Sequence, residues 1–258
     1  MKARIHPTAI VENGAKLADG VEIGAYAYIG PEVTLGEGTV VQHHATVEGL
    51  TTMGERNVVY PYAMIGGRTQ DLKFSGGNPG VKIGDDNCFR EYTTVHSATK
   101  DGDFTIVGSN NNILAYSHIA HDCILGDWII ASNYAGLAGH VQIGSHAVLG
   151  GMTGIHQFCR IGEYAMTGGM SRVVQDICPF MIAEGSPART RTINLVGLER
   201  NGFDAKALSE VKTAYRILFK SGLTREKSIE ALRAECREDT PQIARLLAFF
   251  ENSERGVS

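Results

Sequence analysis

Stepping along the chain six residues at a time from Ile5 reveals its organisation. Ile5, Val11, Leu17, Ile23, Ile29, Leu35, Val41, Val47, Met53, Val59 and Ile65 are aliphatic or Met without a break. The phase resumes at Ile83, Phe89 and Val95, and again from Val107 through Ile113, Ile119 and Leu125 to Val173. Of the 29 positions in this series, 24 hold Val, Ile, Leu, Met or Phe, so the phase belongs to the whole region and not to one segment. Ala131 and Thr167 are isolated lapses, whereas Asp71, Gly77 and Asp101 fall in loop-like runs near 66–82 and 96–106. A period of six matches neither the 3.6-residue helical repeat nor two-residue alternation. It predicts a solenoid in which each hexad is one short strand and one corner, with its apolar residue turned inward. A β-sandwich of many short strands would not hold phase over this length. Glycine often follows the inward residue, as at Gly24, Gly36, Gly84 and Gly126, which suggests corners that need unusual backbone angles.

The pattern stops around Pro179, and beyond Arg200 the spacing becomes helical. Asp204 can cap a helix carrying Leu208, Val211, Tyr215 and Leu218 that ends at Gly222. Thr224 can cap a second, with Ile229 and Leu232. Thr240-Pro241 places proline at the first position of a third, before Ile243, Leu246, Leu247 and Phe250. The expected organisation is a mainly β solenoid over 1–190 and a helical domain over 191–258 that could close the solenoid's open end.

Composition narrows the function classes. With 258 residues the chain can bury a sizeable core in one long domain or two modest ones. Its 31 glycines do not recur every third residue, which excludes collagen. A formal net charge of -4 argues against a nucleic-acid partner. No apolar run reaches the roughly 18 residues of a membrane span, and the N-terminus lacks an apolar leader. The five cysteines are odd in number and lack CxxC spacing, so they read as reduced thiols in a cytoplasmic chain, neither a disulfide frame nor a zinc site.

Particular segments sharpen this. They are Gln70-Asp71-Leu72-Lys73, His118 to Cys123 (HIAHDC), Leu137 to Val141 (LAGHV), Ile155 to Cys159 (IHQFC) and Gly197 to Phe203 (GLERNGF). With the hexads, they make the chain resemble the hexapeptide-repeat acyltransferases and, among these, the UDP-N-acetylglucosamine O-acyltransferases of lipid A biosynthesis. The resemblance runs over essentially the whole chain. It implies a left-handed parallel β-helix of triangular section with a C-terminal helical tail, assembled as a homotrimer. It also implies transfer of a 3-hydroxyacyl chain from acyl-carrier protein to the 3-position of UDP-N-acetylglucosamine. The acyl group arrives on the carrier's phosphopantetheine arm, and no cofactor or metal is implied.

In a triangular helix three hexads make one coil, so Ile119, Leu137 and Ile155, spaced by 18, stack on successive coils. His118, His121, His140 and His156 lie within three residues of these positions and converge on one edge. An imidazole titrating near neutrality suits removal of a proton from a sugar hydroxyl. The resemblance assigns that base to His121, its orienting carboxylate to Asp122, and the oxyanion-binding backbone N–H to Gly139. It assigns substrate binding to Gln70, Asp71, Lys73, His118, His140, His156, Gln157, Asn194 and Arg200, and the end of the acyl groove to Gly169. Adjacent residues of a strand face opposite ways, so the His121–Asp122 pairing requires a corner.

From Ser186 to Lys227 there are nine Lys/Arg against four Asp/Glu, a local surplus that suits an acidic carrier protein. Two positions depart from the family pattern: Val196 stands where the family has Glu, and Asn201 where it has the second Arg of a pair. Two alternatives remain within the superfamily, the sister N-acyltransferase and a 3-amino sugar nucleotide as acceptor. The N-acyltransferases carry an extra N-terminal domain, and hexads that begin at Ile5 leave no room for one. A surface-binding solenoid would show a flat array of repeated Thr, and none is present.

Overall fold

A computed structural model describes residues 2–236 and 240–258. The hexads form short parallel strands that stack into three sheets of 11, 9 and 8 strands, the three faces of a left-handed prism. Successive strands of a face are 18 residues apart, as in Arg4 with Glu22 and His118 with Gly136. Two coils are longer: Val58 pairs with Cys88, 30 residues on, and Cys88 with Asn112, 24 on. Both excesses are multiples of six, which is why the apolar phase survives the interruptions. The interruptions themselves lie at 68–79 and 97–103. They are narrower than the sequence suggested, because Gly80–Ile83 and Phe104–Val107 are strands.

From Glu22–Ile23 onward each two-residue strand turns its first side chain outward and buries its second, whereas Ile5 in the first strand is still exposed and Val11 and Leu17 are half-buried. Ile29, Val59, Ile119 and Leu137 are among the residues that fill the axis of the prism. The lapses at Ala131 and Thr167 are also buried, and Thr167 satisfies its hydroxyl on the Gly150 N–H.

The expectation about the corner glycines is corrected. Among the described residues, left-handed backbone recurs three positions after the inward residue and is carried mostly by side chains larger than glycine, such as Tyr116, Asp122, Tyr134 and His140. Gly24, Gly36, Gly84 and Gly126 have ordinary φ. They are needed for room, because a Cβ at any of them would strike the next coil.

The β region also runs further than expected. Met181–Gly185 and Ala188–Ile193 form an antiparallel hairpin that extends the first face. Helices α1 (Leu195–Arg200), α2 (Ala205–Lys220), α3 (Arg225–Glu235) and α4 (Pro241–Glu251) follow. Asp204 and Thr224 cap α2 and α3 as the sequence predicts, whereas the short α1 had no periodic signal to announce it. The helices share a second core, including Leu198, Val211, Leu232, Ile243 and Leu246, which packs with Phe180 and Met181 at the upper end of the prism. No helix among the described residues is long and apolar enough to cross a membrane.

Candidate active site

The edge between the second and third faces is where the coils are interrupted, and it carries the histidines. Asp122 sits in the left-handed corner position, with φ of 60°. That turn brings its carboxylate back against its neighbour, so His121 Nδ1 lies 2.7 Å from Asp122 Oδ2. The corner therefore overcomes the alternation that would have separated adjacent residues of a strand. Thr99, from the second interruption, ties the pair down. Its N–H donates to Asp122 Oδ1 at 3.3 Å, and its hydroxyl is 3.1 Å from His121 Nδ1. With Nδ1 held by the carboxylate, Nε2 is the ring atom left to accept a proton.

Gly139 lies over this ring. A Cβ there would overlap His121 Cε1 and Nε2, so glycine is required by the imidazole and not by its own φ. Its carbonyl accepts from the Phe158 N–H at 3.2 Å, while nothing among the described residues accepts its N–H. A free donor beside the base suits a developing oxyanion.

The remaining histidines surround the pair. His140 also occupies a left-handed corner, packs edge-on against His121 and places Nε2 at 3.7 Å from Asp122 Oδ2. Phe158 stacks on its other side. His118 bonds the Thr94 hydroxyl through Nδ1 at 2.7 Å. Burial pushes its pKa down to about 4, with His96 and His121 adding to the effect, so it is neutral at neutral pH. His156 Nδ1 contacts the Gln157 carbonyl at 3.1 Å. His121, Asp122 and His140 bring their ligand atoms within 4.8 Å of one another, close enough to hold a metal ion.

Most of the expected residues meet here. Gln70, His118, His121 and His156 line one groove. Asp71, Lys73, Asp122 and His140 line the adjoining cavity. The Lys73 N–H holds the Asp71 carboxyl below the usual carboxylate range, helped by His121 and the Thr99 hydroxyl. Gln157 is exposed beside the groove. Gly169 lies on a different edge, between the first and second faces. Asn194 and Arg200 belong to the tail. Asn194 is buried as the N-cap of α1, with both ends of its amide committed to Gly197 N–H and the Tyr164 carbonyl, whereas Arg200 is exposed. Asn201 closes α1 by donating to the Gly197 carbonyl, and Val196 is exposed on it.

Sequence reasoning missed two residues. Thr99 stands in an irregular loop where no spacing points to it. His96 packs edge-on against His118, and a 24-residue step, not 18, brings its neighbour Val95 beside Ile119.

Hexad coils, a helical cap and an imidazole–carboxylate edge define a hexapeptide-repeat transferase. The bacterial transferase hexapeptide model matches residues 14–49, and the model for domain 2 of UDP-N-acetylglucosamine O-acyltransferase matches 176–258. The chain belongs to the acyl-[acyl-carrier-protein]–UDP-N-acetylglucosamine O-acyltransferase family. It is 49% identical to the member from Paraburkholderia phytofirmans over 99% of both chains. It is 44% identical to the member from Thermodesulfovibrio yellowstonii over 98% of both. The solved structure of LpxA from Acinetobacter baumannii superposes with a TM-score of 0.95 at 41% identity, covering 98% of each chain.

Proposed function

We propose that the chain transfers an (R)-3-hydroxyacyl group from acyl-carrier protein to the 3-hydroxyl of UDP-N-acetylglucosamine, the first step of lipid A biosynthesis. The observation that carries the mechanism is the 2.7 Å contact between His121 Nδ1 and Asp122, which leaves Nε2 as the base. As the sugar oxygen attacks the thioester carbon, its proton passes to Nε2 and the Gly139 N–H receives the charge building on the carbonyl oxygen. The C–S bond then breaks, and the imidazolium returns the proton to the departing thiolate. Every group in this sequence is a side chain or amide of the chain itself, so it requires neither metal nor cofactor.

Lys212, Arg216 and Lys220, four residues apart, stand exposed along one side of α2 and offer an acidic carrier protein a basic landing surface. The groove is open on its outer side, and a homotrimer would supply the opposing wall that excludes water. The setting is the cytoplasm. Gly169, at the far edge of the second face and one coil above Gly154–Ile155, would end an acyl groove that crosses this face from the histidine edge; its absent side chain leaves room for a chain longer than about ten carbons, and each methylene buried there contributes about 0.8 kcal/mol.

The test is mass spectrometry of the product formed by the purified protein from UDP-N-acetylglucosamine and a panel of 3-hydroxyacyl-carrier thioesters, with light scattering on the same sample. A mono-O-acylated sugar nucleotide made by a trimer is expected. Transfer confined to a 3-amino analogue, or a stable active monomer, would contradict the corresponding part of the reading.

A further inference from the structure

The two interruptions of the coils meet in a buried knot of hydroxyls beside the base. Thr69 stands in the first interruption and Thr99 in the second, and both are more than nine-tenths buried. Their hydroxyl oxygens lie 3.2 Å apart. The Asp71 N–H donates to the Thr69 hydroxyl at 3.1 Å, and the Thr99 hydroxyl donates to Asp71 Oδ2 at 3.4 Å. The three residues therefore close a ring of hydrogen bonds against His121, whose Nδ1 is 3.1 Å from the Thr99 oxygen.

The ring has one consistent direction. A hydroxyl has one proton to give and two lone pairs to receive with. Thr69 receives from the Asp71 N–H, and its bonded acceptor is the Thr99 oxygen, so its proton points there. The Thr99 proton is then committed to Asp71, whose other oxygen is held by the Lys73 N–H at 3.0 Å. Buried hydroxyls do not leave such bonds unmade, because each orphaned group costs about 1–3 kcal/mol.

This direction matters to the imidazole. With its proton spent on Asp71, Thr99 cannot donate to His121 Nδ1. The tautomer with a bare Nδ1 and a protonated Nε2 therefore finds no donor in this hydroxyl. The remaining lone pair of Thr99 faces Nδ1 instead, and shares the Nδ1–H that Asp122 Oδ2 accepts at 2.7 Å. Which ring nitrogen of a histidine carries the proton is set by the bond the other environment offers, and here two groups on different segments make the same choice.

We infer that the Thr99 hydroxyl, oriented by the Thr69–Asp71 ring, is a positioning group that keeps the His121 proton on Nδ1 and leaves Nε2 free to accept a proton. Its consequence for turnover rests on the acyl-transfer reading above; its consequence for the tautomer does not. Thr99 acts through the imidazole and takes no part in the chemical step.

The test joins nitrogen-15 NMR of histidine-labelled protein, without substrate, to steady-state kinetics at one pH. The His121 signals are assigned by their absence from His121→Ala, and thermal melting checks each fold. In the wild type Nδ1 should carry the proton, and Thr99→Val should populate the Nε2-protonated form. Its kcat should fall about tenfold, the scale of one lost hydrogen bond, with the KM for UDP-N-acetylglucosamine little changed. Thr99→Ser, which keeps the hydroxyl, should recover most of the loss, and adding Thr99→Val to His121→Ala should lower kcat little further. If valine does not fold in the loop, the smaller Thr99→Ala takes its place. An Nε2-protonated His121 in the wild type would overturn the inference. So would a serine variant as slow as the valine one, a loss of equal size in the His121→Ala background, or a loss confined to the KM for the sugar nucleotide. A wild type that transfers no acyl chain would defeat the acyl-transfer reading itself, and the tautomer measured without substrate would still decide the role of Thr99.

Discussion

Two edges of the prism use the same backbone device for different ends. Between the first and second faces, the left-handed corner residues stack as a ladder: Tyr62, Tyr92, Tyr116 and Tyr134 lie ring on ring, 4.8–5.2 Å apart and within 7° of parallel. That spacing is the coil repeat itself, so the ladder is what a regular solenoid makes of aromatic corners. Between the second and third faces the corner positions hold Asp122, His140 and Phe158, and the chain departs from its coils just below them, at 68–79 and 97–103. The departures supply Asp71, Lys73 and Thr99, which no regular coil could place against His121 and Asp122. Regularity on one edge gives stacking, and its interruption on the other gives a site.

The comparison can be broken from either side. Among substitutions that leave the His121–Asp122 pair itself in place, the largest effect is expected at Gly139→Ala, where the new Cβ displaces the His121 ring and shifts the oxyanion donor. The kcat should fall about a hundredfold in steady-state assays while circular dichroism remains that of the wild type. An intermediate effect is expected at Gly169→Met. A Cβ there would make only an ordinary contact, 3.5 Å from the Gly151 carbonyl, so the protein should fold and the substitution should read out on specificity. The ratio of rates on long and short 3-hydroxyacyl donors should move toward the short ones by about tenfold, the scale of two lost methylene contacts. The smallest effect is expected at Tyr92→Ala, on the regular edge. It removes two stacked contacts, so the thermal midpoint should drop by the equivalent of about 1–2 kcal/mol with turnover retained. A Tyr92→Ala protein of native stability but poor turnover would erase the distinction between the edges.

Much of this was legible in the sequence because a solenoid repeats its constraints. One inward apolar residue per hexad announces itself from Ile5 to Val173, and the inserted coils preserve the count because they add 12 and 6 residues. The gathering of His118, His121, His140 and His156 followed from an 18-residue coil. Features without a period were hidden. The hairpin over 181–193 mixes polar and apolar residues around Gly185-Ser186-Pro187, and α1 is only six residues long. The orientation of Asp122 depends on the sign of one backbone angle, which composition does not encode when the residue is not glycine. The glycines after the inward residues were visible, but the sequence could not show that clearance from the neighbouring coil, and not φ, is what they provide. Asn194 illustrates the remaining gap, since a motif position expected to bind substrate is occupied here in capping a helix.

The central claim is that the corner at Asp122 makes an acid–base unit of two adjacent residues, and a double-mutant cycle on kcat tests it most directly. His121→Ala, Asp122→Ala and the double variant would be compared with the wild type, each with its fold checked by thermal melting. If the carboxylate acts through the imidazole, His121→Ala should lower kcat by about two to four orders of magnitude, and adding Asp122→Ala should lower it little further. Losses that multiply, so that Asp122→Ala costs as much without His121 as with it, would contradict the account.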